Sequence, residues 1–311
     1  MSPRPESPPR QAPQAPLWQS RFLVPAAAVS LFLDALEQDA TSVAAFEDGA
    51  DGAGEGSAPP WRIELLHKAE PDHAALAARL APLAAQAGIE RIDLTVAPLA
   101  ATDWLARTRE SFPPQPIGRF WIHGSHVSEP PPAGCLAIEL DAGLAFGSGE
   151  HATTQGCLLA LDLLARRRRL RRVLDLGCGS GILAIAAAKR GAARVVAADN
   201  DPVAVAVARA NAARNAVGHR VRGLVSEGYR NPLLRASGPY DLILANILAD
   251  PLCAMARATA GHLAPGGIAV LSGLLDRQAA RVVQAHRRHG LRLRGEVPLG
   301  IWTTLVMTKR P

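Results

Sequence analysis

The chain has 311 residues, 48% hydrophobic and 20% charged, the balance of a soluble globular protein with room for two ordinary domains. It contains no run of about 18 strongly apolar residues and no apolar signal core at its start, so a membrane span or a secretory route is not expected and a cytoplasmic protein is. The net charge of +6 is uneven: residues 1–100 hold 7 Lys/Arg against 13 Asp/Glu and residues 101–311 hold 27 against 15, a basic half that reads as a solvated arginine-rich exterior with no nucleic acid required.

In chain order, residues 1–16 hold six prolines and few large apolar groups and are expected to be a disordered tail. A strand at 18–24, a helix at 26–36 and a strand at 42–46 follow. A Gly-rich loop at 48–60 leads to a strand at 61–66, a helix at 72–87 and a strand at 91–96. Leu76, Leu80 and Leu83 keep helical spacing, whereas Ile63 and Leu65, or Ile92, Leu94 and Val96, alternate as strands do. The order βαββαβ predicts a small ferredoxin-like α+β domain over 17–97. Residues 98–135 carry prolines at 113, 114, 116 and 130–132 and little periodicity, and are expected to be a linker. Its aromatics, Trp104, Phe112, Phe120 and Trp121, imply that the linker docks on a domain. From Arg172 onward apolar strands at 173–176, 194–199, 221–225, 242–246 and 268–272 alternate with alanine-rich helices, the pattern of a parallel sheet covered on both faces. Strands at 291–297 and 301–307 then follow without a helix between them. Such a hairpin at the edge of a parallel sheet is expected of a methyltransferase sheet rather than of a dehydrogenase one.

The strongest motif is Val173-Leu-Asp175-Leu-Gly177-Cys-Gly179-Ser-Gly181, a buried strand entering a glycine loop and a helix. The glycines let backbone approach a ligand closely, and helix N-terminal N–H groups favour an anionic one. A dinucleotide fingerprint places its third glycine where Ile182 stands. The spacing G-x-G-x-G after Asp175 suits a ligand without pyrophosphate; Asp175 can attract the cationic amino-acid end of S-adenosylmethionine, directly or through water. Asp199 closes the next strand 22 residues after Gly177, where a carboxylate accepts both ribose hydroxyls. Asp201-Pro202 reads as a helix cap. Asn246, at the end of the strand 242–246, lies beside the glycine loop and can orient an amine. Cys135, Cys157, Cys178 and Cys253 form no C-x-x-C pair and are expected to be reduced, and no metal site is expected.

These elements, with Gly143-Leu-Ala-Phe-Gly-Ser-Gly-Glu-His151-Ala-Thr153-Thr154, resemble the family of methyltransferases acting on ribosomal protein L-eleven (L11), the stalk-base protein of the large subunit. The likeness is dense over 143–276. It implies a Rossmann-like class I methyltransferase domain with a seven-stranded sheet over 136–311, a substrate-recognition role for 17–97, S-adenosylmethionine as cofactor, and methylation of lysine or N-terminal amino groups of a large-subunit ribosomal protein. It further implies that Thr154, Gly177, Asp199 and Asn246 contact the cofactor, and that Asn246-Ile-Leu-Ala is the active-site tetrapeptide. Glycines 179 and 181 and Asp175 complete the cofactor set, Asn246 is the catalytic residue, and a monomer is expected. Ser148 and Ala152 depart from the family's Gly-Thr-Gly-x-His-Pro-Thr-Thr. Alternatives are a lysine methyltransferase of another protein such as an electron-transfer flavoprotein, an RNA methyltransferase and, remotely, a nicotinamide dehydrogenase.

Overall fold

A computed structural model describes residues 17–36, 40, 42–47, 60–99, 114–140 and 152–311. The tail 1–16, nearly all of the loop 48–60, Trp104, Phe112 and the segment 143–151 lie outside the described residues. The chain forms two compact units, Met1–Ala106 and Arg107–Pro311.

In the first unit, β1 (Leu17–Val24), β2 (Ser42–Glu47), β3 (Trp61–His67) and β4 (Thr95–Leu99) form an antiparallel sheet in the order β2-β3-β1-β4. With α1 (Val29–Leu36) and α2 (His73–Gln86) this is the ferredoxin-like topology. Strand alternation buries Phe22 and Val24 of β1 and Ile63 and Leu65 of β3, as Phe32 and Leu36 of α1 and Leu80 of α2 are buried, and the Phe22 and Phe32 rings pack 5.5 Å apart. The Asp72 carboxylate caps α2 by accepting from the N–H groups of Ala74 and Ala75. The strand expected at 91–96 forms later. Pairing with β1 begins at Thr95 opposite Arg21, while the Leu94 N–H donates to the Ile92 carbonyl in a turn, so the sheet partner rather than local alternation sets the boundary.

In the second unit, part of the expected linker is regular structure. β5 (Gln115–Ile117), β6 (Phe120–His123) and β7 (Leu136–Glu139) make a three-stranded sheet, antiparallel then parallel. Ile117, Phe120, Ile122 and Ile138 are buried in the same core as Leu158 and Leu161 of α3 (Ala152–Arg167). The short strands are held by that core, which the periodicity of so brief a stretch does not report. The main sheet comprises β8 (Arg172–Leu176), β9 (Arg194–Asp199), β10 (Val221–Val225), β11 (Tyr240–Asn246), β12 (Leu263–Leu275), β13 (Leu291–Leu299) and β14 (Trp302–Lys309), in the order β10-β9-β8-β11-β12-β14-β13. Only β14 runs antiparallel to its neighbours β12 and β13.

On one face α3, α4 (Ile182–Lys189) and α5 (Pro202–Arg214) cover the sheet; on the other lie α6 (Pro232–Ser237), α7 (Ala249–Ala254), α8 (Ala256–His262) and α9 (Asp276–Arg287). Ile182 through Ala188 of α4 are all buried, as a helix of small side chains squeezed between sheet and helices must be. Among the described residues no helix is long and apolar enough to cross a membrane.

Candidate active site

Chain order reverses at β8: β9 lies on one side and β11 on the other, so the loops leaving β8 and β11 diverge and open a crevice at their C-terminal ends. The loop leaving β8 follows the glycine motif. Gly177, Gly179 and Gly181 have φ of 71°, 49° and 81°, a region costly for side chains with a Cβ. A Cβ on Gly177 would strike the Ile247 side chain, and one on Gly181 would lie 2.8 Å from the Ala208 Cβ of α5. The third glycine therefore packs α4 against its neighbour helix. The Gly177 and Cys178 N–H groups both donate to the Ala198 carbonyl, at 2.8 and 3.0 Å, and the Ser180 carbonyl accepts from Asn211 Nδ2 at 2.9 Å. Asn211 is a positioning residue that sequence reasoning missed; only its polarity on a buried helix face could have marked it.

The two carboxylates differ. Asp175 is 1% exposed and its Oδ2 accepts from the Ala184 N–H at 2.9 Å, anchoring the first turn of α4. Its Oδ1 is buried without a hydrogen-bond partner, and burial pushes the carboxyl up to about 7, against that bond and with the nearby Asp199 charge adding to the rise. Asp199, at the end of β9, is half-buried; its Oδ2 accepts from the Gly179 N–H at 2.9 Å and its Oδ1 from the Asp201 N–H at 3.0 Å. It thus ties the glycine loop to the start of α5. Asp201 is the expected cap, accepting from the Val203 N–H at 2.8 Å with Pro202 opening the helix.

Across the crevice Asn246 ends β11. Its Nδ2 donates to Thr154 Oγ1 at 3.2 Å, and its Oδ1 is buried with no partner. Thr154 does not cap a helix: it lies inside the first turn of α3, 1% exposed. Beside Asn246 in register stands Ser272 of β12. Its hydroxyl donates to the Thr153 carbonyl at 3.1 Å and pairs with Thr304 Oγ1 of β14 at 2.7 Å. Sequence reasoning also missed this buried chain; a polar residue at a strand end, the rule that picked Asp199 and Asn246, selects Ser272 as well. Gly273, φ 84°, lets the Asn246-Ile247 backbone pass, since a Cβ there would lie 2.5 Å from the Ile247 carbonyl oxygen.

A glycine loop tied to an acid on the next strand, beneath this strand order with its one antiparallel member, defines an S-adenosylmethionine-dependent class I methyltransferase. The loop fits that cofactor, as a backbone cradle where a Cβ on Gly177 or Gly181 would collide with Ile247 or Ala208, and the orphaned Asn246 oxygen leaves an unused acceptor at the adjacent strand end. The chain belongs to the ribosomal protein L11 methyltransferase (PrmA) family, whose model matches residues 21–310. A ribosomal protein L11 methyltransferase of Rhodopseudomonas palustris (strain BisB5) is 42% identical over 266 residues, 85% of this chain and 90% of that relative. One from Bradyrhizobium diazoefficiens is 43% identical over 263 residues, 84% and 88% of the two chains. The crystal structure of a ribosomal protein L11 methylase from Lactobacillus delbrueckii subsp. bulgaricus is 32% identical, covering 62% of this chain and 96% of that one with a TM-score of 0.56.

Proposed function

We propose that this chain transfers methyl groups from S-adenosylmethionine to lysine or N-terminal amino groups of ribosomal protein L11. The observation that carries the reading is the buried, unpartnered Oδ1 of Asn246, set at the strand end facing the glycine loop. In water such an oxygen is never without a donor; in the closed site the incoming amine N–H supplies one. Thr154 fixes which end of the amide points at the amine. Asp199 accepts the ribose hydroxyls of the cofactor, the backbone at Gly177, Gly179 and Gly181 lies along it, and Asp175 Oδ1 faces its amino-acid end.

When bound, the cofactor supplies a methyl group on a positively charged sulfur, and that charge leaves sulfur as the carbon passes to nitrogen. The residues contribute orientation, which is worth roughly 7–11 kcal/mol when reacting atoms are held aligned. Burial also favours the neutral amine, the only form with a free lone pair. The acidic unit over 17–97 grips the basic substrate, and the enzyme acts in the cytoplasm as a monomer with no nucleic acid needed for transfer.

The test is incubation with labelled cofactor and an extract of a strain lacking the enzyme, with mass spectrometry of labelled protein. Label in L11 is expected; label confined to another protein or to RNA overturns the reading. Deleting residues 1–97 should abolish L11 methylation and leave cofactor binding, and a truncation with full activity removes the recognition role.

A further inference from the structure

A cleft of the second unit lies not at the glycine loop but at the opposite, N-terminal ends of the strands. It encloses about 980 Å³ and is lined by Arg172, Arg194, Arg209, Arg220 and Arg222, with His219. Arg172 and Arg194 are register partners on β8 and β9, and the Arg220 carbonyl accepts from the Val195 N–H, which puts Arg220 one strand further out. Three arginine backbones therefore stand at one level, on β8, on β9 and just before β10, about 10 Å from end to end at the ordinary inter-strand spacing.

Like charges opposed across strands repel, so such a row is unfavourable unless something negative answers it. No ion pair among the described residues engages any of the five, and no acid lines the cleft. The flanking acid, Asp241, spends one carboxylate oxygen on the N–H groups of Arg171 and Arg172. Three of the arginines are held in place by backbone carbonyls: Arg172 by Gly238, Arg209 by Gly223 and Arg220 by Ala188. They are fixed, so little side-chain freedom is lost on binding. Part of the excess charge expected as a solvated exterior is here gathered into one concavity.

We infer that this cleft binds the phosphate backbone of RNA, roughly 16 Å behind the cofactor crevice by the length of β8. Five separated guanidiniums in so wide a cleft suit successive phosphates of a strand rather than one small anion. The choice of RNA over other polyanions rests on the L11 reading, because a ribosomal protein meets RNA as its own partner. Methyl transfer does not pass through this site.

The test is fluorescence anisotropy of the full-length protein with a labelled 20-nucleotide mixed-sequence RNA, from 50 to 200 mM salt. Five phosphate contacts predict a salt slope of about −3.5, so affinity should fall on the order of 100-fold across that range. The double variant Arg194→Ala, Arg222→Ala removes two side chains that make no hydrogen bond or ion pair among the described residues, and should lower the fall to about 20-fold while L11 methylation stays unchanged. A control double variant of Arg287 and Arg288 on the other side of the unit should bind as the parent does. Absence of binding at 50 mM salt, an unchanged salt slope in Arg194→Ala, Arg222→Ala, or competition by ATP as strong as by unlabelled RNA overturns the inference. Failure of L11 methylation in the parent would instead overturn the function reading, and the two results are separately visible.

Discussion

Thr154→Val exchanges the hydroxyl that accepts the 3.2 Å bond from Asn246 Nδ2 for a methyl group of nearly the same volume. Thr154 is 1% exposed, so water cannot take over the acceptor role. A buried donor left unpaired costs about 1–3 kcal/mol, and the amide escapes that cost by turning about its soft terminal torsion, which carries Oδ1 away from the incoming amine. If most of that energy is lost from the transition state, kcat falls roughly 5- to 150-fold at about 1.4 kcal/mol per tenfold. The assay is steady-state transfer of labelled methyl to purified L11, with calorimetric binding of S-adenosylhomocysteine as the control on folding. Thr154→Ser keeps the hydroxyl and should recover most of the rate. A valine variant with the parent's kcat, or a serine variant as slow as the valine one, would refute the claim that this hydroxyl sets the amide.

Gly177→Ala combines a φ of 71° with a Cβ that meets the Ile247 side chain; the left-handed conformation alone costs about 1–2 kcal/mol, so thermal unfolding should shift down by several degrees and cofactor affinity should fall with it. Asp199→Ala removes an acceptor pair and unties Gly179 and Asp201; titration with S-adenosylhomocysteine should show affinity reduced by about 2–3 kcal/mol, roughly 30- to 150-fold. Burial raises the Asp175 carboxyl from 3.8 to about 7, so the folded chain keeps a proton that the unfolded chain releases between those values, and stability declines as pH rises from about 4 to 7. Asp175→Asn abolishes that titration, and its gain in melting temperature over the parent should be larger at pH 8 than at pH 4; an equal gain at both counts against the shifted carboxyl.

The parallel sheet was legible because its strands are continuous apolar runs bounded by glycine or acid, as in Val173-Leu-Asp175-Leu-Gly177, where burial on both faces leaves little alternative. The positions of the glycine loop, Asp199 and Asn246 were legible because each stands at a strand end. Two things were hidden. Phe120 and Ile122 belong to a four-residue strand that exists only through its core contacts, and four residues carry too little period to separate strand from linker. Thr304 sits inside β14 in a run of three buried residues, Thr303 to Leu305, and nothing local shows that its hydroxyl meets Ser272 from β12. Such a contact is a property of the sheet order rather than of either segment.

That hidden contact explains the spacing at the start of α3. The Thr153 carbonyl meets Ser272, and the Thr154 hydroxyl meets Asn246 on the adjacent strand. Consecutive residues are thereby fixed to register partners on neighbouring strands, one through backbone and one through side chain. The geometry closes only if the next turn of α3 comes within reach of Thr304, and it does so at Gly156, where a Cβ would collide with the Thr304 hydroxyl. A larger residue at 156 would push the helix off β14, lengthen both bonds together and loosen the Asn246 amide without touching it. Thr153-Thr154-Gln155-Gly156 is therefore one positioning element, with the glycine setting the depth at which the two threonines act.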